Sequence, residues 1–166
     1  KGTAKKTPEA LESEIETLGA SIYASANKEF ITIQGNTLAK NYDKTMALVE
    51  EMLLEPRWDV KEFDLLKQST LNQIKRQQAN PNSIASIAFD KLIYGENHIL
   101  SFDNIGTTAS VNAIAIDDLK SYYNNYCSTK ITTIMAVGAI TQSEVAKSLA
   151  DINAKWSKKE IQFPEI

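Results

Sequence analysis

The chain has 166 residues, of which 43% are hydrophobic and 23% charged, and its net charge is −3. This balance is typical of a globular domain with an ordinary core rather than of a disordered chain. Its basic residues are scattered, and we therefore expect no nucleic-acid binding, which requires concentrated positive charge. No apolar run reaches the length of a membrane-crossing helix, so the sequence predicts no membrane span.

The N-terminal part predicts one helix followed by a β-hairpin. Thr7 and Pro8 form a typical helix start, because a hydroxyl caps the first turn and proline needs no hydrogen bond there. Gly19 suits the left-handed residue that ends such a helix. Two strands are then expected at residues 20–26 and 30–34, with polar residues between them.

The middle of the chain is predicted to be almost entirely helical. Apolar periodicity and capping residues place helices at 41–54, 59–79, 83–93, around Val111 and at 117–126, with Asp59, Ser83 and Asp117 as the N-caps. Pro56 and the Asn80-Pro81 pair separate the first three of them. The buried stripe of the long helix at 59–79 is expected to consist of Phe63, Leu66, Thr70 and Ile74.

The C-terminal part predicts a third strand and a final helix. Residues 131–137 are β-branched and apolar, as in a central strand, and Thr141 with Glu144 forms a capping box. We therefore predict an α+β fold of two layers, in which helices pack on a mainly antiparallel sheet. Three strands make a small sheet, so we expect that N-terminal strands and a helix are missing. The predicted boundaries are a single domain at 1–157 and a linker at 158–166, which contains Pro164.

The residue types exclude most catalytic chemistry. Cys127 is the only cysteine and His98 the only histidine, whereas a zinc site normally needs three or four closely placed ligands. We expect His98 to cap or pack, and no serine lies in a nucleophile-elbow motif for it to activate. No glycine-rich phosphate loop is present. The residues alone therefore predict a domain that is not an enzyme by itself.

The order of several short segments resembles the insulinase/pitrilysin family of zinc metallopeptidases, which includes the mitochondrial processing peptidases. The similar segments are Lys1-Gly2-Thr3 with Thr7-Pro8-Glu9, Leu18-Gly19-Ala20, Leu53 to Trp58, Phe89 with Tyr94-Gly95 and His98, Gly106-Thr107 with Ser110-Val111, Leu119 with Tyr122 and Tyr126, and Ala136-Val137-Gly138. The resemblance runs from end to end, and it implies the fold of that family.

The same resemblance implies where a zinc site would lie. The family carries two histidines and a glutamate in an H-x-x-E-H helix, which would precede Lys1, and a third ligand, a glutamate, on the following long helix. The alignment places that ligand at Gln73, and a supporting glutamate at Leu66. A neutral amide is a poor zinc ligand, and leucine cannot make the supporting hydrogen bond. A register shifted by one residue would place Asn72 there, which is equally unsuitable.

The resemblance therefore implies a non-catalytic half of a zinc peptidase. Such a half would form part of the wall of a peptide-binding chamber and act with an active partner half, which would hold the zinc; this chain itself would carry no cofactor. One alternative is a structural or assembly domain like the peptidase-derived core subunits of respiratory complexes. A second is an active peptidase domain whose H-x-x-E-H motif lies upstream. The expected location is the periplasm or cell envelope of a bacterium.

Overall fold

The computed structural model describes residues 2–163, so Lys1 and residues 164–166, including Pro164 of the predicted linker, lie outside the described part. Along these residues the elements are α1 (Pro8–Thr17), β1 (Ser21–Ala26), β2 (Ile31–Asn36), α2 (Tyr42–Leu54), α3 (Val60–Gln78), α4 (Pro81–Tyr94), α5 (Thr108–Ala113), α6 (Ile116–Tyr126) and α7 (Gln142–Lys155). Short 3-10 turns lie at Ala39–Asn41, Ile99–Ser101 and Thr129–Ile131. None of the helices within 2–163 is both long and apolar enough to cross a bilayer.

The chain divides into two compact units. Within the described residues, the first consists of 2–25, 32–58 and 119–162, and it contains α1, α2, α7 and most of α6. The second consists of residues 26–31, 59–118 and 163, and it contains α3, α4 and α5. The single domain at 1–157 and the linker at 158–166 stay predictions.

Capping side chains begin the helices largely as the sequence predicted. The Thr7 hydroxyl accepts a hydrogen bond from the Ala10 N–H, and the predicted capping box of Thr141 and Glu144 is confirmed. Two predicted caps were wrong. Asn80, not Ser83, caps α4, because its side chain accepts from the two N–H groups that follow Pro81. Asp117 lies inside the first turn of α6, which begins one residue earlier.

The two predicted N-terminal strands form a hairpin, β1 with β2. The Asn27 side chain makes the turn, since its Oδ1 accepts the N–H groups of Glu29 at 2.8 Å and Phe30 at 2.7 Å. Asparagine favours such turns because its side chain reproduces a backbone hydrogen bond. Gly35 allows the strands to approach closely, since a Cβ atom there would lie 2.5 Å from the Ser21 carbonyl oxygen.

The core of the first unit lies between its helices. Leu11 of α1, Leu48 of α2 and Ile152 of α7 are buried, and α2 packs against both α1 and α7. The Tyr42 hydroxyl lies 2.9 Å from the Ser148 hydroxyl, which joins α2 to α7 by a hydrogen bond. The burial of these apolar side chains supplies most of the free energy that holds the three helices together.

An ion pair fixes the N-terminal segment onto α2. The Lys6 ammonium and the hydroxyl of the buried Thr3 both donate hydrogen bonds to the Glu51 carboxylate, and the Ala4 N–H donates to the Glu55 carbonyl at 2.8 Å. Burial raises the pKa of Glu51, but the hydrogen bonds from Lys6 and Thr3 outweigh it and hold that pKa below its usual range. The hydrogen bond to Glu51 raises the pKa of Lys6.

The third predicted strand, at residues 131–137, was wrong. Ile131 ends a 3-10 turn, and residues 132–137 have no regular secondary structure. The side chain of Met135 is 87% exposed and Val137 is fully exposed. A strand requires a neighbouring strand that accepts and donates its backbone hydrogen bonds. Within residues 2–163 no segment supplies that neighbour, because the only sheet there consists of β1 and β2.

Candidate functional site

The candidate site lies on α3, the helix that carries both Leu66 and Gln73. Asp59 begins this helix as predicted, since its carboxylate accepts the N–H groups of Lys61 at 2.9 Å and Glu62 at 3.2 Å. The helix runs for 19 residues to Gln78. In the second unit it packs against α4 and α5, so one side of α3 is covered and the other is not.

The buried side of α3 contains a lysine that the sequence did not indicate. Ile74 is only 3% exposed, and Phe63 and Lys67 are half-buried. The Lys67 ammonium lies 5.7 Å from the centre of the Phe63 ring. It also donates hydrogen bonds to the carbonyl groups of Asn112 at 2.8 Å and Ile114 at 2.7 Å. These carbonyls end α5, where the helix dipole favours a positive charge.

Lys67 therefore occupies the position in the buried stripe that was predicted for Leu66. Positions 63, 67, 70 and 74 follow the helical spacing, and the long aliphatic stem of lysine can cover apolar surface while its ammonium finds polar partners. Hydropathy favoured leucine over lysine, and that prediction was wrong. The spacing of four residues from Phe63 was the signal in the sequence that could have identified Lys67.

The uncovered side of α3 carries both residues of the candidate site. Leu66 is 60% exposed, and Gln73 is exposed as well. A separation of seven residues is close to two helical turns, so the two side chains share one face. This face is part of a wider exposed surface of α3, which also includes Leu65 at 65% exposed.

The residues on this face do not fit a zinc ion. Gln73 offers a neutral amide, and Leu66 offers no polar atom, whereas zinc sites use histidine, cysteine or carboxylate ligands. Between residues 2 and 163 no three histidine, cysteine, aspartate or glutamate side chains gather into a group that could hold a metal ion. A zinc site on this face would need its ligands from polypeptide other than the described residues.

His98 has the capping role that the sequence predicted. Its Nδ1 atom accepts a hydrogen bond from the Leu100 N–H at 3.1 Å and so caps the 3-10 turn that follows. Its ring stacks on Tyr94, with 5.5 Å between the ring centres and 20° between the planes. Both interactions hold the imidazole in place as part of the local packing.

A cleft of about 440 Å³ lies in the first unit, lined by residues that include Tyr123, Cys127 and Trp156. Burial raises the pKa of the Cys127 thiol, which disfavours the reactive thiolate. The two lysines of the cleft already have partners: Lys155 donates to Glu50 at 2.6 Å, and Lys159 donates to the Asn124 carbonyl at 3.1 Å. The cleft therefore offers no activated nucleophile.

Comparison with known proteins shows the family. A sequence model of the insulinase family, peptidase family M16, matches residues 1–101, which is more than half of the chain. The chain therefore belongs to the insulinase family of peptidases. The matched residues include α3 with Leu66 and Gln73.

Three similar proteins show how much of a family member this chain represents. An uncharacterized zinc protease of Bacillus subtilis, YmxG, is 23% identical over 99% of this chain and 41% of its own length. The solved inactive domain of an M16 peptidase from Pseudomonas fluorescens superposes with a TM-score of 0.90 at 22% identity, over 98% of this chain and 40% of its own. The solved first half of the periplasmic protease PqqL from Escherichia coli gives a TM-score of 0.78 at 17% identity, over 99% of this chain and 36% of its own.

These comparisons confirm the predicted fold class and the resemblance to insulinase-type peptidases. The chain spans between 36% and 41% of the length of these three proteins. The assignment of Gln73 and Leu66 as altered zinc-site positions stays a prediction, because it depends on an alignment to a ligand-bearing relative.

Proposed function

We propose that this chain is part of a non-catalytic half of an insulinase-family zinc peptidase, which acts together with an active half on peptide substrates. The observation that carries the proposal is the uncovered face of α3. Its residues at the predicted ligand and supporting positions are an amide and a leucine, Gln73 and Leu66, and both are exposed. Neither of these two side chains can supply a charged ligand to zinc.

The zinc belongs to the active partner half in this proposal. That half is either a separate subunit or part of the same polypeptide. A zinc ion held in that half would supply Lewis-acid chemistry for peptide hydrolysis. The residues of this chain contribute surface to the space that receives the peptide. Within residues 2–163 the β1–β2 hairpin has two free edges. An extended peptide can bind to such an edge through backbone hydrogen bonds.

The same proposal extends to the cellular location. One solved neighbour is the first half of a periplasmic protease, and its fold is similar to that of this chain. We infer that the protein acts in the periplasm or the cell envelope of a bacterium. Fractionation of the native cells, followed by detection of the protein with an antibody, tests this location directly.

Replacing Gln73 by alanine tests whether this chain takes part in catalysis. In the complete protein with its active half, we expect Gln73→Ala to leave the rate of peptide cleavage within about twofold of the wild-type rate, because in this proposal the zinc and the reacting atoms lie in the active half. The control is alanine at the zinc-ligand glutamate of the active half, which should abolish cleavage. The rate is measured with an unfolded peptide that carries a fluorophore and a quencher.

A loss of cleavage of a hundredfold or more in Gln73→Ala would contradict the proposal and favour an active domain with an unusual ligand. Failure of the wild-type protein to cleave peptides with any insulinase-family partner half, combined with stable incorporation into a larger complex, would favour the assembly domain instead. The two alternatives are therefore distinguished by the same preparation.

A further inference from the structure

The 3-10 turn at Ile99–Ser101 is held by side chains that come from two parts of the chain. The His98 Nδ1 atom accepts the Leu100 N–H at 3.1 Å, and the half-buried Lys28 donates from its ammonium to the Leu100 carbonyl at 2.6 Å. Lys28 lies in the connection between β1 and β2, and both this connection and the turn belong to the second unit. We call His98, Leu100 and Lys28 the latch, because they join the turn to the connection of the hairpin.

The cap at one end of the latch requires an uncharged imidazole. A neutral ring has one nitrogen that donates a hydrogen bond and one that accepts, whereas the protonated ring has two donors. Once protonated, the Nδ1 atom of His98 would place an N–H group against the Leu100 N–H, and the cap would be lost. Histidine is the side chain that ordinarily changes charge between about pH 5 and about pH 8.

The surroundings of His98 hold its ring and backbone in place whatever the charge of the ring. The imidazole stacks on the Tyr94 ring, and an aromatic face also attracts a cation. The buried Ser101 hydroxyl donates to the His98 carbonyl at 2.7 Å, a contact that does not involve the imidazole. The other titratable groups of the segments beside the turn are Asp90, Lys91 and Tyr94 of α4, Glu96 and Asp103 of the loops, and Lys28 and Glu29 of the hairpin connection. None of them is a histidine, and His98 is the only one in the chain.

We propose that the latch is a pH-sensitive device. With a neutral His98 the capped turn holds the Leu100 carbonyl for Lys28, and protonation of His98 removes the cap, loosens the turn and releases the hairpin connection. The two ends are coupled because both polar backbone groups of Leu100 are used, the N–H by His98 and the carbonyl by Lys28. A 3-10 turn of three residues has few hydrogen bonds of its own to keep that carbonyl in place. This inference does not depend on the proposed function.

Amide hydrogen exchange in the complete protein, resolved to single residues by mass spectrometry, tests the proposal. After correction for the intrinsic pH dependence of exchange, we expect the Leu100 amide to be about fivefold less protected at about pH 5.5 than at about pH 7.5, the effect of losing one hydrogen bond. The amides of Glu29 and Phe30, which the Asn27 side chain holds in the hairpin connection, should lose protection over the same range. Equal protection of the Leu100 amide at the two pH values, beside protected α2 amides, would overturn the proposal.

Two replacements of His98 separate the cap from the packing of the ring. In His98→Asn the side-chain oxygen should accept the Leu100 N–H, as the Asn27 side chain accepts the N–H two residues further on, and asparagine carries no charge at any pH. The Leu100 amide should then be equally protected at both pH values. In His98→Phe the ring can still stack on Tyr94 but offers no acceptor, so the protection should be low at both. A pH response in His98→Asn as large as that of the wild type would show that another group is responsible, and the proposal would be wrong.

Lys28→Met tests the other end of the latch. At about pH 7.5 it should lower the protection of the Glu29 and Phe30 amides about fivefold, because methionine cannot donate a hydrogen bond to the Leu100 carbonyl. Replacing the exposed Lys91 of α4 by methionine is the control and should leave these amides unchanged. Unchanged protection in Lys28→Met would show that the turn does not hold the hairpin connection, which also contradicts the proposal.

Discussion

Replacing Ile74 by alanine is expected to lower the free energy of unfolding by about 3 kcal/mol, the usual cost of truncating a buried isoleucine. Ile74 is 3% exposed on the side of α3 that packs in the second unit. The truncation removes apolar contacts and leaves a cavity that the helix can fill only by shifting. Urea denaturation followed by circular dichroism at 222 nm measures the change.

Leu66 on the same helix provides the matched control. Its side chain is 60% exposed, so Leu66→Ala should change the free energy of unfolding by about 0.5 kcal/mol or less, as at most surface positions. Equal losses in the two variants would show that Leu66 belongs to the core. The correction of the buried stripe from Leu66 to Lys67 would then be wrong, and the candidate site could not lie on a free face.

The second large effect concerns the ion pair that holds the N-terminal segment. Lys6→Met should lower the free energy of unfolding by roughly 1–2 kcal/mol, because it leaves the partly buried Glu51 carboxylate without its charged donor. Lys5→Met is the control. Lys5 also pairs with a glutamate, Glu55 at 2.8 Å, but both side chains are largely exposed, and exposed pairs contribute little. Chemical denaturation at pH 7 compares the two variants.

The pH dependence of stability gives an independent measurement of this pair. The pKa of Glu51 is lower in the folded protein than its ordinary value of 4.5. The contribution of Glu51 to the stability of the folded protein is therefore complete above pH 4.5, and it is lost as the pH falls through the folded pKa. The pKa of Lys6 is raised above 10.5, so its contribution is complete below pH 10.5 and is lost as the pH rises through the folded pKa. Glu51→Gln should therefore flatten the acid side of the stability curve. An unchanged acid side would contradict the role of Glu51.

The elements that the sequence predicted well are those specified by local chemistry. Thr7, Asp59 and Thr141 cap their helices through side-chain hydrogen bonds to nearby N–H groups, and such contacts can be recognised from a few residues. His98 was likewise predicted correctly as a capping residue. The capping error at α4 had a local cause too, since Asn80 and Ser83 are both good capping residues and only the structure distinguishes them.

The predictions that failed depend on distant parts of the chain. Residues 131–137 have the composition of a strand, but composition does not supply the neighbour that a strand requires. Leu66 was placed in the core by its hydropathy, whereas the carbonyl groups at the end of α5 select Lys67 for that side. The assignment of Gln73 as an altered ligand position stays a prediction that rests only on resemblance to a family, because an exposed glutamine on a helix carries no chemical signal of its own.

The zinc content of the complete protein, measured by elemental analysis for the wild type and for Gln73→Ala, tests the central claim most directly. If α3 holds no metal, the two proteins contain the same amount of zinc per polypeptide, and any zinc present is lost only when histidines of the active half are replaced. A full equivalent of zinc in the wild type that disappears in Gln73→Ala would contradict this account. It would show that Gln73 is a metal ligand and that the domain is catalytic.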